Sequence, residues 1–415
     1  MQIDWHAARG DLAELALIDA PVAAVDEAAL ALGRQARLRA QMAASGLAAV
    51  LLNDPVNIRY ACGARNMQVF AARNGAARYL LMTADRAILF EMFGGEHLAK
   101  GLPTLDEVRT ASNVNFTARA GDVDAAETRW AAEMAAVLRG LTGSRARIGT
   151  ERLAPRITLG LSEAGFHLTD AAGAVERARA IKTAEELICI RAALRSTEAG
   201  VAALERALRP GLTENALWAV LHQQVIARGG EYFETRLMNS GPRSNPWFQE
   251  TSAKRIAPNE LVALDTDVVG CYGYYADFSR TFHAGPQAPT GAQKALYRAA
   301  HDQISHNLSI LRPGMSFRDY ADAAWPIPER YFEQRYYVSA HGCGMTGEYP
   351  YLYHAADFDD AGYDGEITAG MTLCVESFIG RVGGQEGVKL EQQVLITDSG
   401  TELLSRYPFD EALLG

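Results

Sequence analysis

The sequence predicts an α+β chain of two domains, and three observations carry that expectation. At 415 residues and 45.0 kDa the chain is too long for one hydrophobic core, because single cores stop growing beyond about 250–300 residues. Up to about residue 178, short apolar runs alternate with stretches of helical spacing, the pattern of an α/β domain. From Tyr232 to Phe282 the pattern changes to alternation with aromatics and glycines, which reads as β-sheet. The expected domains are therefore 1–178 and 179–415.

In chain order, Ala28 to Ala44 has helical spacing and good helix formers. Leu47 to Leu52 suits a buried strand, and Asn53-Asp54-Pro55 reads as the turn that closes it. Arg78–Met82 and Ala87–Phe90 resemble a pair of strands around Thr83-Ala84-Asp85, Ala125–Gly140 a helix, and Arg147-Ile148-Gly149 the start of another strand. Arg177 to Leu208 predicts one long helix, with a capping box in which Thr183 caps and Glu186 stands three residues on. Pro210-Gly211 ends it, and Thr213-Glu214 starts the next helix, to about Gly229. Helices are expected again at 291–311 and around 317–325, and strands and turns over the last eighty residues.

Composition narrows the class. Apolar residues make up 48% and charged residues 22%, ordinary globular values that exclude a disordered or fibrous chain. No run approaches a membrane span in length and apolarity, and Met1-Gln-Ile-Asp-Trp-His6 lacks the pattern of a secretory signal. A net charge of −10 disfavours nucleic acid and anionic membrane as partners. Cys62, Cys189, Cys271, Cys343 and Cys374 are scattered and odd in number, which reads as reduced thiols in a cytoplasm.

The chemistry concentrates in four segments. Leu261 to Asp265 is an apolar strand that runs into Asp265-Thr266-Asp267, and Asp277 follows beyond the turn-like Gly270-Cys-Tyr-Gly273. Period-two alternation puts Asp265 and Asp267 on one face, and a hairpin would bring Asp277 opposite Asp267. His341 stands in His341-Gly-Cys-Gly344. Glu376 ends the apolar Met371-Thr-Leu-Cys-Val-Glu376, and Glu391 lies inside Gly387-Val-Lys-Leu-Glu391. A second hairpin would pair those two glutamates. Carboxylates crowded in this way repel, so a cation is expected among them. Hard oxygen donors with one imidazole suit one or two divalent ions such as Mn, Fe, Co or Zn. Two ions about 3.5–4 Å apart, bridged by carboxylates, would neutralise the crowd and activate water.

The ordered set Asp267, Asp277, His341, Glu376 and Glu391, with Asp265 as an extra candidate, resembles the pita-bread metalloenzyme family of methionine aminopeptidase, prolidase, Xaa-Pro aminopeptidases and creatinase. Asp54-Pro-Val-Asn-Ile-Arg-Tyr60 resembles the creatinase-type N-terminal domain, and Arg179-Ala-Ile-Lys182 with Glu185-Glu186 the usual entry to the catalytic domain. The resemblance implies a pita-bread half, a curved antiparallel sheet covered by helices, with Asp277 and Glu391 as bridging ligands. It also implies a homodimer, because creatinase-type relatives pair.

A closer resemblance is to the dimethylsulfoniopropionate lyase branch. Glu234-Thr-Arg-Leu237, the segment Ser240 to Glu250, Asp265-Thr-Asp267, Met371 to Glu376 and Tyr407-Pro-Phe-Asp410 carry it. Two departures bear on function. The peptidases place histidines where this chain has Pro246-Trp247-Phe248 and Gly347-Glu348, and the lyase branch places an acidic base at Gly347. The implied activity is lyase-like cleavage of a small sulfonium or ammonium zwitterion. The alternatives are a C–N hydrolase, an Xaa-Pro peptidase or, less in keeping with a full ligand set, a non-catalytic scaffold. Arg243 is the expected carboxylate anchor. Trp247, Phe248, Tyr336, Tyr337 and Tyr351 are the expected aromatic box for the cation. Glu348, a tyrosine (Tyr336) or a metal-activated hydroxide is the expected base.

Overall fold

The structure, a computed structural model, describes residues 24–66 and 77–415. The reading of Met1 to His6 falls outside them. From Asp26 onward the described residues form two compact units, Asp26–Arg179 and Ala180–Gly415.

The first unit is built on a six-stranded sheet. Its strands are β1 (Ala49–Leu52), β2 (Tyr79–Thr83), β3 (Ala87–Glu91), β4 (Glu107–Thr110), β5 (Arg147–Thr150) and β6 (His167–Asp170), in the spatial order β4-β3-β2-β1-β5-β6. The central three are antiparallel, and β4, β5 and β6 add in parallel. Helices Val123–Thr142 and Pro155–Glu163 lay Trp130, Met134, Leu138, Ile157 and Leu161 against Leu51, Leu81 and Ile148 of the sheet. Asn53-Asp54-Pro55 corrects its reading as a simple turn. Asp54 caps the helix Pro55–Cys62, accepting from the backbone N–H of Val56 at 2.9 Å and of Asn57 at 3.2 Å. Proline at the first helical position forfeits only an N–H that has no partner there.

The second unit opens on the helix Ala184–Ala207. The helix expected from Arg177 is in fact two, Ala172–Ala180 and Ala184–Ala207, with Ile181 between them bridged to Met371. The capping box lies at the second start. Glu186 N donates to Thr183 Oγ1 at 3.2 Å, and Thr183 N donates back to Glu186 Oε2 at 2.8 Å. Then come β7 (Tyr232–Phe233), β8 (Met238–Ser240), β9 (Glu260–Asp265), β10 (Val268–Val269), β11 (Tyr275–Ala276) and β12 (Ser279–Ala284). They make two three-stranded sheets, β11-β10-β7 and β12-β9-β8. The C-terminal sheet uses β13 (Ala340–Cys343), β14 (Gly347–Leu352), β15 (Thr372–Ile379), β16 (Val388–Thr397) and β17 (Gly400–Leu403), in the antiparallel order β14-β13-β15-β16-β17. The last eighty residues also hold a helix, Ala355–Ala361.

Side chains stitch β12 to β16. Thr281 Oγ1 donates to the Lys389 carbonyl at 2.9 Å and accepts from Lys389 N at 3.1 Å. Arg280, buried, donates to the Glu391 carbonyl at 2.9 Å and to Gln392 Oε1 at 2.7 Å, with its guanidinium 4.4 Å from the Phe409 ring centre. Every residue of β15 is buried, so both faces are covered. Leu373 and Val375 of β15 and Leu390 and Val394 of β16 meet Tyr297 and Ile304 of helix Gly291–Ile310 and Phe317 and Tyr320 of helix Phe317–Ala323. By the period of two, Cys374, Glu376, Lys389, Glu391 and Gln393 project from the opposite face.

The capping box gives a first prediction. Thr183→Ala should lower the stability of the second unit by about 1 kcal/mol, read as a lower denaturation midpoint in guanidinium with an unchanged slope. An unchanged midpoint would mean that packing alone sets the helix start.

Candidate metal centre

Strand pairing delivers the acidic residues to one place. Glu376 of β15 lies directly opposite Glu391 of β16, and His341 of β13 lies opposite Cys374 of β15. Asp265 ends β9 opposite Ser279, which follows Asp277 by two residues. Asp267 reaches the group by a different route from the one expected. The strand breaks after Asp265, and Asp267 has a positive φ of 42°. Its side chain still arrives beside the others: one oxygen each of Asp265, Asp267 and Asp277 lie within 4.8 Å of one another. Asp277, His341, Cys374 and Glu391 form a second such group. Gly342 has no room for a side chain, since a Cβ there would lie 2.2 Å from the Tyr349 carbonyl oxygen. That close approach accounts for the glycine after His341.

Asp265, Asp277, His341, Glu376 and Glu391 are buried, and Asp267 is partly so. Burial raises the Asp265 carboxyl to about 6, against the pull of Lys389. Burial, then the neighbouring Asp265, raises Asp267 to about 7. Burial, then Glu391, Asp267 and Asp265, holds Asp277 well above the usual carboxylate range. Burial pulls the His341 imidazole down, but Glu376, Glu391 and Asp277 outweigh it and hold it well above its ordinary value. These are the signs of a carboxylate cluster short of positive charge.

Donor chemistry and unmet lone pairs fit a divalent cation. His341 Nδ1 lies 2.9 Å from the Gly342 carbonyl, which can only accept, so Nδ1 carries a hydrogen and Nε2 is the nitrogen that faces the acids; a divalent ion there would take the place of the Nε2 proton. Nε2 is 3.2 Å from Glu376 Oε1, 3.6 Å from Asp277 Oδ2 and 3.7 Å from Glu391 Oε1. Asp277 Oδ1 and Glu391 Oε1 are buried and have no hydrogen-bond donor. A cation is the partner that oxygens in this position lack.

The structure adds residues that motif reading passed over. Lys389 is fully buried, its Nζ 3.1 Å from Asp265 Oδ2, 3.1 Å from Glu391 Oε2 and hydrogen-bonded to Glu376 Oε2. Ser279 Oγ lies 2.8 Å from Asp265 Oδ1 and 2.7 Å from Glu391 Oε2. Gln393 Oε1 accepts from Asp277 N at 3.1 Å. Each stands two residues from a nominated ligand on the same strand or strand start. The period of two, applied to Gly387-Val-Lys389-Leu-Glu391, was the signal that could have found Lys389.

Three nominated residues have surroundings that residue type does not reveal. Arg243 is not a free anchor: it is ion-paired with buried Glu214 and donates to the Glu250 carbonyl at 2.8 Å. Glu214 also accepts from the backbone and hydroxyl groups of Ser240 and Ser252, so the pair organises the 240–252 loop. Glu348 is buried and ion-paired with buried Lys182 at 2.5 Å, a poor arrangement for a general base. Burial, then Glu376 and Asp265, pushes Tyr336 well above the ordinary phenol range, which favours its neutral form beside the bare acids.

The nominated aromatics do gather. Phe248 lies 5.3 Å from Tyr336 and 6.1 Å from Tyr337, ring centre to ring centre. Tyr337 lies 5.9 Å from Tyr351, which is 6.1 Å from His341. Trp247 packs on Phe378 at 5.8 Å, and Lys389 Nζ lies 4.7 Å from the Tyr336 ring centre and 5.9 Å from that of Trp247. Phe248 and Tyr337 remain exposed at 56% and 45%. The cluster is thus a wall, buried at Trp247 and open at Phe248 and Tyr337. Gly347 faces the same place. A Cβ built on it would meet only the His341 ring, at 3.8 Å.

A curved antiparallel sheet that carries a buried acid–imidazole cluster defines a metalloenzyme class, and comparison with known proteins gives the family. Residues 188–398 match the model of metallopeptidase family M24, and residues 34–181 match the creatinase/prolidase N-terminal domain. The chain belongs to metallopeptidase family M24, whose members use divalent metal ions. It is 36% identical to dimethylsulfoniopropionate lyase DddP of Roseovarius nubinhibens, over 88% of this chain and 83% of that protein. It is 34% identical to dimethylsulfoniopropionate lyase DddP of Roseobacter denitrificans, over 99% and 91%. Among solved structures, an Xaa-Pro dipeptidase from Bacillus anthracis superposes with a TM-score of 0.72 at 22% identity, covering 92% of this chain and 99% of that one. That likeness speaks to the pita-bread fold with its creatinase-like N-terminal domain.

Metal removal should therefore be visible in stability. Stripping with a chelator should lower the melting temperature, and restoring a divalent ion at about 100 times its dissociation constant should return about 2.7 kcal/mol. Asp277→Ala should lose metal content and show no such response. An Asp277→Ala protein with full metal content would remove Asp277 from the ligand set.

Proposed function

We propose that the chain is a metal-dependent lyase that cleaves a small sulfonium or ammonium zwitterion by β-elimination, with dimethylsulfoniopropionate as the first substrate to test. The observation that carries the reading is the aromatic wall beside the acid–imidazole cluster, in a chain alignable almost end to end with lyases of that name. One or two divalent ions, from among Fe, Mn, Zn and Co, held by Asp265 or Asp267 with Asp277, His341, Glu376 and Glu391, would supply Lewis acidity toward the substrate carboxylate.

The chain's own residues do the rest. The faces of Tyr336, Tyr337, Tyr351 and Phe248 bind the onium group, whose charge is diffuse and easily desolvated. Trp247 Nε1 is buried with no acceptor, so it is a candidate donor to the substrate carboxylate in the place once expected of Arg243. In the reaction the proton on the carbon next to the carboxylate leaves to a base. Its electron pair forms the new double bond, and the C–S bond breaks with its pair on sulfur. The leaving sulfide is neutral and needs no proton. Proton removal is the demanding step here, because Gly347 offers no acid and Glu348 is held by Lys182.

The hydrolase alternative has the family's name and fold behind it. It needs a group to protonate a poor amine leaving group. His354, the other buried imidazole near Tyr336, has its Nε2 2.9 Å from the Tyr336 carbonyl, and burial pulls it below its ordinary value. We infer a cytoplasmic homodimer. The five cysteines are buried thiols outside any disulfide, and no helix among the described residues is long and apolar enough to cross a membrane.

The test is an assay of metal-loaded protein on dimethylsulfoniopropionate, with dimethyl sulfide measured in the headspace, beside betaines and Xaa-Pro dipeptides. Sulfide release with no dipeptide cleavage is expected; dipeptide turnover alone would reverse the assignment. Gly347→Asp should raise sulfide release, since a positioned general base contributes about 10²–10⁴-fold and a Cβ at the position meets only the His341 ring, at ordinary contact distance. A fall in rate with metal content unchanged would count against a base at this position.

A further inference from the structure

We propose that Lys389 is a built-in cation of the centre, and that the chain therefore retains one divalent ion, at the His341 end, rather than a pair. The inference rests on the metal-dependent reading above and deepens it. Glu376 and Glu391 each divide their two oxygens. Oε2 of both goes to Lys389 Nζ, while Oε1 turns toward His341 Nε2, at 3.2 Å and 3.7 Å. In a dinuclear centre, bridging carboxylates divide their oxygens between two metal ions in the same way. Here one of the two bridged positions holds a lysine nitrogen. Asp265 Oδ2 at 3.1 Å and Ser279 Oγ at 2.7 Å complete its polar surroundings. Its stem is fully buried and its head lies against the rings of Tyr336 and Trp247, so the ammonium has no route to solvent.

The unmet lone pairs lie on the other side. Asp277 Oδ1 and Glu391 Oε1 have no hydrogen-bond donor, and His341 Nε2 lies on their side, 3.6 Å from Asp277 Oδ2 and 3.7 Å from Glu391 Oε1. Asp265, Asp267 and Asp277 also converge, yet donors already stand against the first two. Lys389 Nζ serves Asp265 Oδ2 and Thr235 Oγ1 serves Asp267 Oδ2, while Ser279 Oγ is shared between Asp265 and Glu391 and the Tyr275 hydroxyl between Asp267 and Glu234. A second divalent ion would have to displace those donors beside a fixed positive charge. The first has unsatisfied oxygens and an imidazole waiting for it. Asp265 is on this view chiefly the counter-ion of Lys389, and the retained ion draws on Asp277, His341, Glu376 and Glu391.

The count can be read without an activity assay. The full chain is stripped with chelator, loaded with Mn(II), desalted and measured by elemental analysis and electron paramagnetic resonance. One manganese per chain with the spectrum of an isolated ion is expected, and His341→Ala should lose it. Lys389→Met, which keeps the bulk and removes the charge, should retain a second manganese and show an exchange-coupled spectrum. Lys389→Arg should keep the count at one. Two manganese ions retained by the unaltered chain overturn the inference and leave the metal-dependent reading standing. So does an unchanged count in folded Lys389→Met overturn it. Should Lys389→Met not fold, the counts in the unaltered chain and in Lys389→Arg decide. No retained manganese, with no thermal shift from iron, zinc or cobalt either, overturns both readings together.

Discussion

The second unit is organised around one electrostatic constraint. Asp265, Asp277, Glu376 and Glu391 are buried side by side, with Asp267 at their edge. Two like charges about 4 Å apart repel by on the order of 4 kcal/mol at an effective dielectric constant near 20, and this cluster contains several such pairs. The sheet tolerates it only because cations and donors are built in. Lys389 lies among three of the acids, Ser279 between two, and the hydroxyls of Thr235 and Tyr275 meet Asp267. The remaining deficit, at Asp277 and Glu391 beside His341, is the opening for a metal. Arg280 and Thr281 belong to the same constraint. They tie β12 to β16 through the backbone of Glu391 and Lys389, which fixes the distance between the aspartate and glutamate halves of the cluster.

Much of this was legible in the sequence, and what was legible had a local cause. Thr183 and Glu186 meet in a capping box because that motif is satisfied within a single turn. Glu376 and Glu391 pair because two apolar runs joined by glycines leave few other registers. Asp54 was misread because Asn-Asp-Pro serves turns and helix starts alike. Only the residues beyond Pro55, with their tertiary packing, decide between them. The long helix from Arg177 broke at Ile181 because a bridge to Met371, far along the chain, claims that residue, and local periodicity carries no trace of such a partner.

Three of the expected site residues meet surroundings that the sequence does not show. Arg243, Glu348 and Tyr336 were nominated for what their side chains can do in isolation. In the folded chain Glu214 pairs with the first and Lys182 with the second, while burial beside Glu376 and Asp265 favours the neutral form of the third. Side-chain chemistry can be read from residue type, but availability depends on partners that are distant in sequence. Lys389 was overlooked for the converse reason. A lysine inside a strand reads as a solvated edge, and nothing local says that the face it shares with Glu391 is closed.

The same architecture bears on which reaction the site can support. The helix-facing side of β15 and β16 is committed to the hydrophobic core, so the other side alone is available for chemistry. There it presents acids, one imidazole, one ammonium and an aromatic wall. A peptide bond asks such a surface to protonate an amine as it departs, and the two segments where an imidazole would be expected read Pro246-Trp247-Phe248 and Gly347-Glu348. An onium substrate asks for less. Aromatic faces accept its cation, an electron-withdrawing centre acidifies the proton next to its carboxylate, and sulfur leaves without a proton. Replacing relay groups with rings removes what a peptidase needs and supplies what an onium lyase binds. The chain's composition at those positions thus fits elimination better than hydrolysis, with the base as the one element that the wall of carbon and hydroxyl groups does not provide.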